Sequence, residues 1–181
     1  MRNKIVLIGG GVRSGKSSLA LELAQGLGEK RAFIATATRS DAEMDGRIDR
    51  HQQDRRGQYE TIEEPLALGE ALLQVKADVV VVDCVTHWLS NLLLQKLDRE
   101  AILTRVQVVA DALEQRRCHI VLVTNEVGMS VHPPTVLGRA FVEICGFAHQ
   151  RLARASDEIY LAVLGTHLRI KPAPGAPLGG S

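Results

Sequence analysis

Short, unbroken apolar runs alternate along this chain with longer stretches of helical periodicity. Ile5–Ile8, Ala32–Thr36, Val79–Asp83, Ile120–Thr124 and Glu158–Val163 are compact, mostly continuous and rich in β-branched residues. Strands covered on both faces of a parallel sheet have this character, because neither face can be polar. A helical pattern runs from Ser17 to about Leu27. Another, Glu100–Arg116, aligns Ile102, Val106, Val109 and Leu113 on one stripe, and Thr135–Ala155 does the same with Leu137, Phe141, Ile144, Ala148 and Leu152. The alternation predicts an α/β fold with right-handed crossovers: a mostly parallel sheet flanked by helices. Past Gly165-Thr166, the run Leu168–Lys171 is expected to pair as an antiparallel edge strand. Residues 1–171 read as one domain, and the Pro/Gly-rich 172–181 as an unstructured tail.

Composition narrows the function classes. A chain of 181 residues can bury a core without metal or disulfide staples, and its net charge of +1 argues against nucleic acid or an anionic membrane as the main partner. Cys84, Cys118 and Cys145 are widely spaced in apolar surroundings and read as reduced core thiols. Asp83, His87 and Asn91 interrupt the longest apolar stretch, well short of the ~20 residues of a membrane span. With no signal-peptide pattern before the first strand, the expected location is cytoplasmic.

The most informative segment is Gly10-Gly11-Val12-Arg13-Ser14-Gly15-Lys16-Ser17, which satisfies the phosphate-loop pattern G-x-x-x-x-G-K-[ST] between a strand and a helix. Glycines let the backbone turn its N–H groups around a polyphosphate, and the helix N-terminus adds partial positive charge. Lys16 would bridge the terminal phosphates, and the Ser17 hydroxyl would hold Mg²⁺. Asp83, closing the run Val79–Val82, stands where such a fold needs an acidic residue to orient the metal.

Three further segments carry polar chemistry. Ser40–Arg56 is helical in pattern, with Met44, Ile48 and His51 on one narrow face and Arg47 and Arg55 four residues either side of His51. Pattern alone leaves two readings open: a solvated helix laced with salt bridges, or an imidazole ringed by arginines and suited to attack phosphorus. Asp83–Leu93, with the only tryptophan, and Thr124–Met129 follow the third and fourth runs. Both lie beyond the carboxyl ends of strands, where parallel sheets bind ligands.

Together these blocks resemble the bifunctional adenosylcobinamide kinase/adenosylcobinamide-phosphate guanylyltransferase family. The likeness runs from Ile5 to Lys171 and rests on Gly10–Ser17, where the family typically reads G-G-A-R-S-G-K-S, on Ile34-Ala35-Thr36-Ala37, and on the E-M-x-x-R-I-x-x-H core within Asp41–Arg55. Thr61–Pro65, Asp83-Cys84, Trp88–Leu93 and Asn125–Gly128 complete it. The resemblance implies a RecA-like phosphate-loop fold, GTP and ATP as nucleotides with Mg²⁺, and a homotrimer. It implies phosphorylation of the aminopropanol hydroxyl of adenosylcobinamide, then transfer of GMP from GTP through a guanylylated histidine, here His51. Catalytic roles fall on His51 and Lys16. Nucleotide contacts are expected at Gly10, Gly11, Val12, Arg13, Ser14, Gly15, Lys16 and Ser17, at Ala35, Thr36 and Ala37, at Gln52, Gln53, Asp54 and Arg55, and at Glu63 and Asp83; metal contacts fall on Ser17 and Asp83.

The chain departs from the family pattern at His132-Pro133-Pro134, at His149, where asparagine is common, and at His87. His119 and His167 flank strands and read as surface residues. Two rival readings are a plain phosphate-loop kinase, which leaves His51 unexplained, and a guanine-nucleotide switch, which would need an N-K-x-D motif absent from this sequence.

Overall fold

The computed structural model describes residues 2–38 and 57–173. Its elements run β1 (Ile5–Gly10), α1 (Lys16–Leu27), β2 (Arg31–Ala35), β3 (Glu60–Glu63), α2 (Leu68–Gln74), β4 (Val79–Asp83), α3 (Val85–Leu94), α4 (Arg99–Gln115), β5 (His119–Asn125), α5 (Val136–Ala155), β6 (Glu158–Val163) and β7 (Thr166–Lys171). The strands form one sheet in the order β3-β2-β4-β5-β1-β6-β7, parallel throughout except for the β6–β7 pair. The antiparallel edge strand expected from Leu168–Lys171 is therefore present, lengthened at its start to Thr166.

Alternation along each strand divides the core in two. Ile5, Leu7, Val80, Val82, Ile120 and Leu122 face a large cluster completed by residues of α2, α3, α4 and α5. Val6, Ile8, Val79, Val81, Val121 and Val123 face a smaller one closed by Leu19, Ala20 and Ala24 of α1. Such strands have no face for polar residues, which is why their sequences are continuous apolar runs.

Three elements went unforeseen. β3 carries Ile62 as its one large apolar residue among exposed or half-exposed neighbours, so an edge strand paired on one side has no periodic signal there. The short α2 is too brief to show a stripe. The segment after β4 reads as a ligand-bearing loop but folds as α3, with Val85, Thr86, Trp88, Leu89, Asn91 and Leu92 all buried. A helix buried on most of its circumference has no polar face to mark its period. The helix expected over Ser40–Arg56 and the tail from residue 174 lie outside the described residues.

The carboxyl ends of the parallel strands share one edge of the sheet, stitched beyond the ladder by backbone bonds. Thr36 donates to the Asp83 carbonyl (3.4 Å), Glu64 to that of Ala35 (3.0 Å) and Glu126 to that of Gly10 (3.0 Å). At the opposite edge, Arg116 Nη1 donates to both oxygens of Asp157 (2.8 and 2.7 Å), while Asp157 also accepts the Ile5 N–H at 2.8 Å.

Candidate active site

The phosphate loop leaves β1 at Gly10 and enters α1 at Lys16. Gly15, at φ 95°, is the left-handed residue that turns the chain into the helix, a conformation that L side chains rarely adopt. Gly10 is required by proximity: a β-carbon there would lie 2.5 Å from the Ala162 carbonyl oxygen of β6 and 2.6 Å from Ser14 Oγ. The helix start is left bare. α4 is capped by Asp98, which accepts from Ala101 N, and α5 by Thr135, which accepts from Gly138 N, but α1 has neither a capping side chain nor an acidic residue in its first turn. Its first N–H groups and positive dipole end therefore remain for an anion.

Lys16 sits in this cradle, only 8% exposed, with Nζ donating to the Gly11 carbonyl at 2.7 Å. Burial pulls its pKa below the ordinary value, and the negative charge of Asp83 pulls it part of the way back. Asp83 reaches that position as the last residue of β4. The sheet register sets Ala35 beside both Glu63 and Asp83, so these three expected contacts form one rung across β3, β2 and β4. Val12 and Arg13 occupy the exposed crest of the loop, Arg13 at φ 56°.

Thr36 is placed differently from its neighbours. It is fully buried, donates through Oγ1 to the Cys84 carbonyl (2.7 Å) and accepts the Cys84 N–H on the same oxygen (2.8 Å). Asn91 of α3 then donates from Nδ2 to the Thr36 carbonyl (2.7 Å) and to that of Pro65 (3.1 Å), and Trp88 Nε1 donates to the Leu66 carbonyl (2.9 Å). The polar residues that stand out after β4 are thus tie-bars from α3 to the loops beyond β2 and β3. His51, Gln52, Gln53, Asp54 and Arg55 lie outside the described residues.

Two residues gain significance only in three dimensions. His167 is half-buried rather than fully at the surface: it is the β7 partner of Ala162, and its Nε2, buried and without a hydrogen bond, lies 3.5 Å from where a Gly15 β-carbon would stand. Small residues at Gly10 and Ala162 let it approach the phosphate loop, a relation three strands wide that no local pattern reveals. His149 of α5 reaches Thr124 Oγ1 at 2.7 Å, within a polar group that also includes Thr86 and Asn125. By contrast, His119 Nδ1 accepts the Lys4 N–H at 2.9 Å on the far edge, a structural contact. Cys84, Cys118 and Cys145 are free and buried, as expected, and burial pushes the Cys84 and Cys145 thiols up to about 12.

A family model described as cobinamide kinase / cobinamide phosphate guanyltransferase matches residues 6–170. The chain is similar to the bifunctional adenosylcobalamin biosynthesis protein CobP of Pseudomonas aeruginosa, 41% identical over 177 residues, covering 93% of this chain and 98% of that one. It is also similar to the CobU protein of the same description from Escherichia coli, 35% identical over 184 residues, covering 92% and 99%. Among solved structures, a RadB recombinase aligns with a TM-score of 0.50 at 15% identity, over 87% of this chain and 73% of that one, which supports the RecA-like fold and nothing further.

Proposed function

Since the chain belongs to the cobinamide kinase / cobinamide phosphate guanyltransferase family, we propose that both of its reactions run on one nucleotide site built around the phosphate loop. The protein is a bifunctional enzyme of cobalamin biosynthesis, a cobinamide kinase and a cobinamide phosphate guanylyltransferase. The observation that carries the one-site reading is Lys16, buried in the loop, hydrogen-bonded to Gly11 and within the field of Asp83.

In the kinase reaction the aminopropanol hydroxyl of adenosylcobinamide attacks the γ-phosphorus of ATP or GTP. The hydroxyl proton departs, a new O–P bond forms, and the bond to the nucleoside diphosphate breaks. In the transferase reaction an unprotonated ring nitrogen of His51 attacks the α-phosphorus of GTP and pyrophosphate leaves. An oxygen of adenosylcobinamide phosphate then displaces the imidazole, giving adenosyl-GDP-cobinamide. Lys16, Arg13 and the N–H groups at the start of α1 stabilise the phosphate charge in either attack.

The donor set fits Mg²⁺. A hydroxyl on Ser17 and a carboxylate on Asp83 suit a hard ion that keeps most of its water and takes phosphate oxygens as its other ligands. Among the described residues, no group of three or more His, Cys, Asp or Glu converges into a dedicated metal cage. When bound, the ion would neutralise phosphate charge and orient the triphosphate.

Ala35, Ala37 and Glu63 stand on the same rim and are offered as nucleoside contacts, as are Gln52–Arg55. For Thr36 the backbone is the better candidate, since its hydroxyl is committed to Cys84. Val163, Leu164, Leu168 and Ile170 leave apolar surface exposed at the β6–β7 edge, which supports assembly into an oligomer, a trimer by resemblance. Free buried thiols suit a reducing, cytoplasmic compartment, and no helix among the described residues is long and apolar enough to cross a membrane.

The reading is tested by incubating the protein with Mg²⁺ and GTP labelled at the α-phosphorus, denaturing it and mapping retained label. An acid-labile, alkali-stable adduct that is lost in His51→Ala is expected. Retention of the adduct in that variant would move the nucleophile elsewhere, and a protein that binds GTP but keeps no label would act as a kinase alone.

A further inference from the structure

A line of hydrogen bonds leads from the helix that follows β5 to the first glycine of the phosphate loop. His149 Nε2 lies 2.7 Å from Thr124 Oγ1, and Thr124 Oγ1 lies 2.9 Å from Thr86 Oγ1. Thr86 Oγ1 accepts the backbone N–H of Asn125 at 2.7 Å. Asn125 is the register partner of Gly10, and the next residue, Glu126, donates its N–H to the Gly10 carbonyl at 3.0 Å. Thr124, Thr86, Asn125 and Glu126 thus connect an imidazole to the base of the phosphate cradle.

Counting hydrogens gives the line a direction. The Asn125 N–H can only donate. The Thr86 hydroxyl has one hydrogen, with Thr124 Oγ1 at 2.9 Å and the Asn125 carbonyl at a marginal 3.5 Å as its choices. The arrangement in which every hydroxyl hydrogen has a partner has Thr86 donating to Thr124 and Thr124 donating to His149, with Nε2 the unprotonated acceptor that ends the line. Burial lowers the pKa of His149, and the charge of Glu126 opposes this in part. Among the described residues beside it, Thr124 and Thr86 are neutral, and Cys145, one turn earlier on α5, is held protonated by burial, with its pKa raised to about 12. Arg99 of α4 is engaged with Glu143 (3.4 Å) and the face of Phe147.

We propose that His149 is a positioning residue for both reactions: its unprotonated Nε2 anchors Thr124 and Thr86 so that they hold the Asn125–Glu126 backbone against the phosphate loop. This rests on the reading that both reactions use that loop. A proton on Nε2 reverses the line. Thr124 must then accept from His149, and the Thr124 and Thr86 hydroxyls have two hydrogens for the one bond between them, so one hydrogen is left with no partner nearer than the Asn125 carbonyl at 3.5 Å from Thr86. The strand end loosens beside Gly10, and nucleotide binding weakens as pH falls. An asparagine offers an amide oxygen as acceptor but no titration, so a histidine here adds acid sensitivity to an otherwise equivalent anchor.

The test uses the kinase reaction of the full chain, which does not call on His51 as nucleophile, from about pH 5.5 to 8.5. In the wild type, KM for the nucleotide is expected to rise on the acid side in step with the NMR titration of His149. His149→Asn should flatten that limb while retaining turnover at neutral pH. His149→Leu and Thr124→Val, which leave a buried hydroxyl without a partner, should raise KM about fivefold or more at every pH. A His149→Leu protein with lower thermal stability but unchanged KM and pH profile would overturn the proposal and leave His149 a packing residue. If the wild type binds nucleotide yet phosphorylates no cobinamide, the one-site reading fails instead. The nucleotide Kd of the same variants over the same pH range then decides the role of His149.

Discussion

Gly10 and Ala162 face each other as register partners on β1 and β6, so close that no side chain fits on the glycine. The obstruction is mainly the Ala162 carbonyl oxygen, 2.5 Å from the position of the missing β-carbon, and backbone cannot rotate away as a side chain can. Gly10→Ala should therefore destabilise the protein by about 1–3 kcal/mol and push the phosphate loop off the sheet. Calorimetry and nucleotide titration should fail together. Ala162→Gly should not rescue either, because it leaves the carbonyl in place. Full rescue would mean that the alanine methyl, 3.2 Å away, is the true obstacle.

Lys16 should be intolerant of truncation and sensitive to alkali. Lys16→Ala removes the buried cation of the phosphate loop, and kcat/KM for both reactions should fall about 10²- to 10³-fold, a loss typical of a deleted charge-stabilising donor. Burial lowers the pKa of this ammonium from its ordinary 10.5, so the proton is lost at lower pH than from an exposed lysine. Nucleotide affinity should accordingly decline as pH rises towards that lowered value, and saturating nucleotide should shift the decline upward. An affinity that stays level through pH 10 or so would show that phosphate binding does not need this charge.

The ties that join α3 and the start of its helix to the loop after β2 can be tested one by one. Asn91→Ala strips the donor from two carbonyls, those of Thr36 and Pro65, and should cost about 1–3 kcal/mol for the unsatisfied groups. Thr36→Val keeps the shape but abandons both backbone groups of Cys84, at a similar cost, while Thr36→Ser should recover most of it. Urea unfolding of the three variants measures this directly. Equal stability of Thr36→Val and wild type would mean that the Cys84 backbone finds other partners.

These tie-bars also explain what the sequence could and could not convey. Val79–Asp83 coincides with an observed strand because its four valines are buried on both faces and must all be apolar; Glu158–Val163 also coincides with its strand, though β6 is buried fully only at Ala162. Gly10–Ser17 is legible because each of its fixed positions answers to local geometry: a close approach, a turn at positive φ, a bare helix start. Trp88 and Asn91 stand out in the sequence, but whether they touch a ligand or a loop depends on β2 and β3, far away along the chain. His167 and His149 are more opaque still. One reaches Gly15 across the single intervening strand β6, the other reaches Gly10 through four intermediates, and neither leaves a periodic trace.

At the far edge of the sheet, Asp157 should set the response to acid. Burial would raise its pKa, but the hydrogen bonds from Arg116 and from the Ile5 N–H outweigh that, and the native value lies below the ordinary 3.8. The unfolded chain then takes up this proton first. The stabilisation is complete above about pH 4 and is lost as pH falls through the native pKa. Because the carboxylate is partly exposed, the contribution is about 1 kcal/mol after solvent screening. Asp157→Asn should lower Tm by a few degrees at neutral pH and reduce the slope of stability against pH in the acid range. An unchanged slope would assign acid unfolding to other carboxylates.

The two reactions should part company in acid. On the proposed mechanism both depend on His149 being unprotonated, by way of the phosphate loop, but only guanylylation also needs an unprotonated His51. The rate of label uptake from GTP should therefore fall more steeply below about pH 6.5 than the rate of cobinamide phosphorylation. In His149→Asn the shared component vanishes, so the kinase profile becomes level on the acid side while guanylylation keeps a limb of a single proton. His51→Ala should abolish guanylylation and leave the kinase profile of the wild type. A guanylylation rate that stays flat from about pH 5 to 8 in His149→Asn would be incompatible with attack by an imidazole, since no other group on the path to the α-phosphorus would then need to lose a proton.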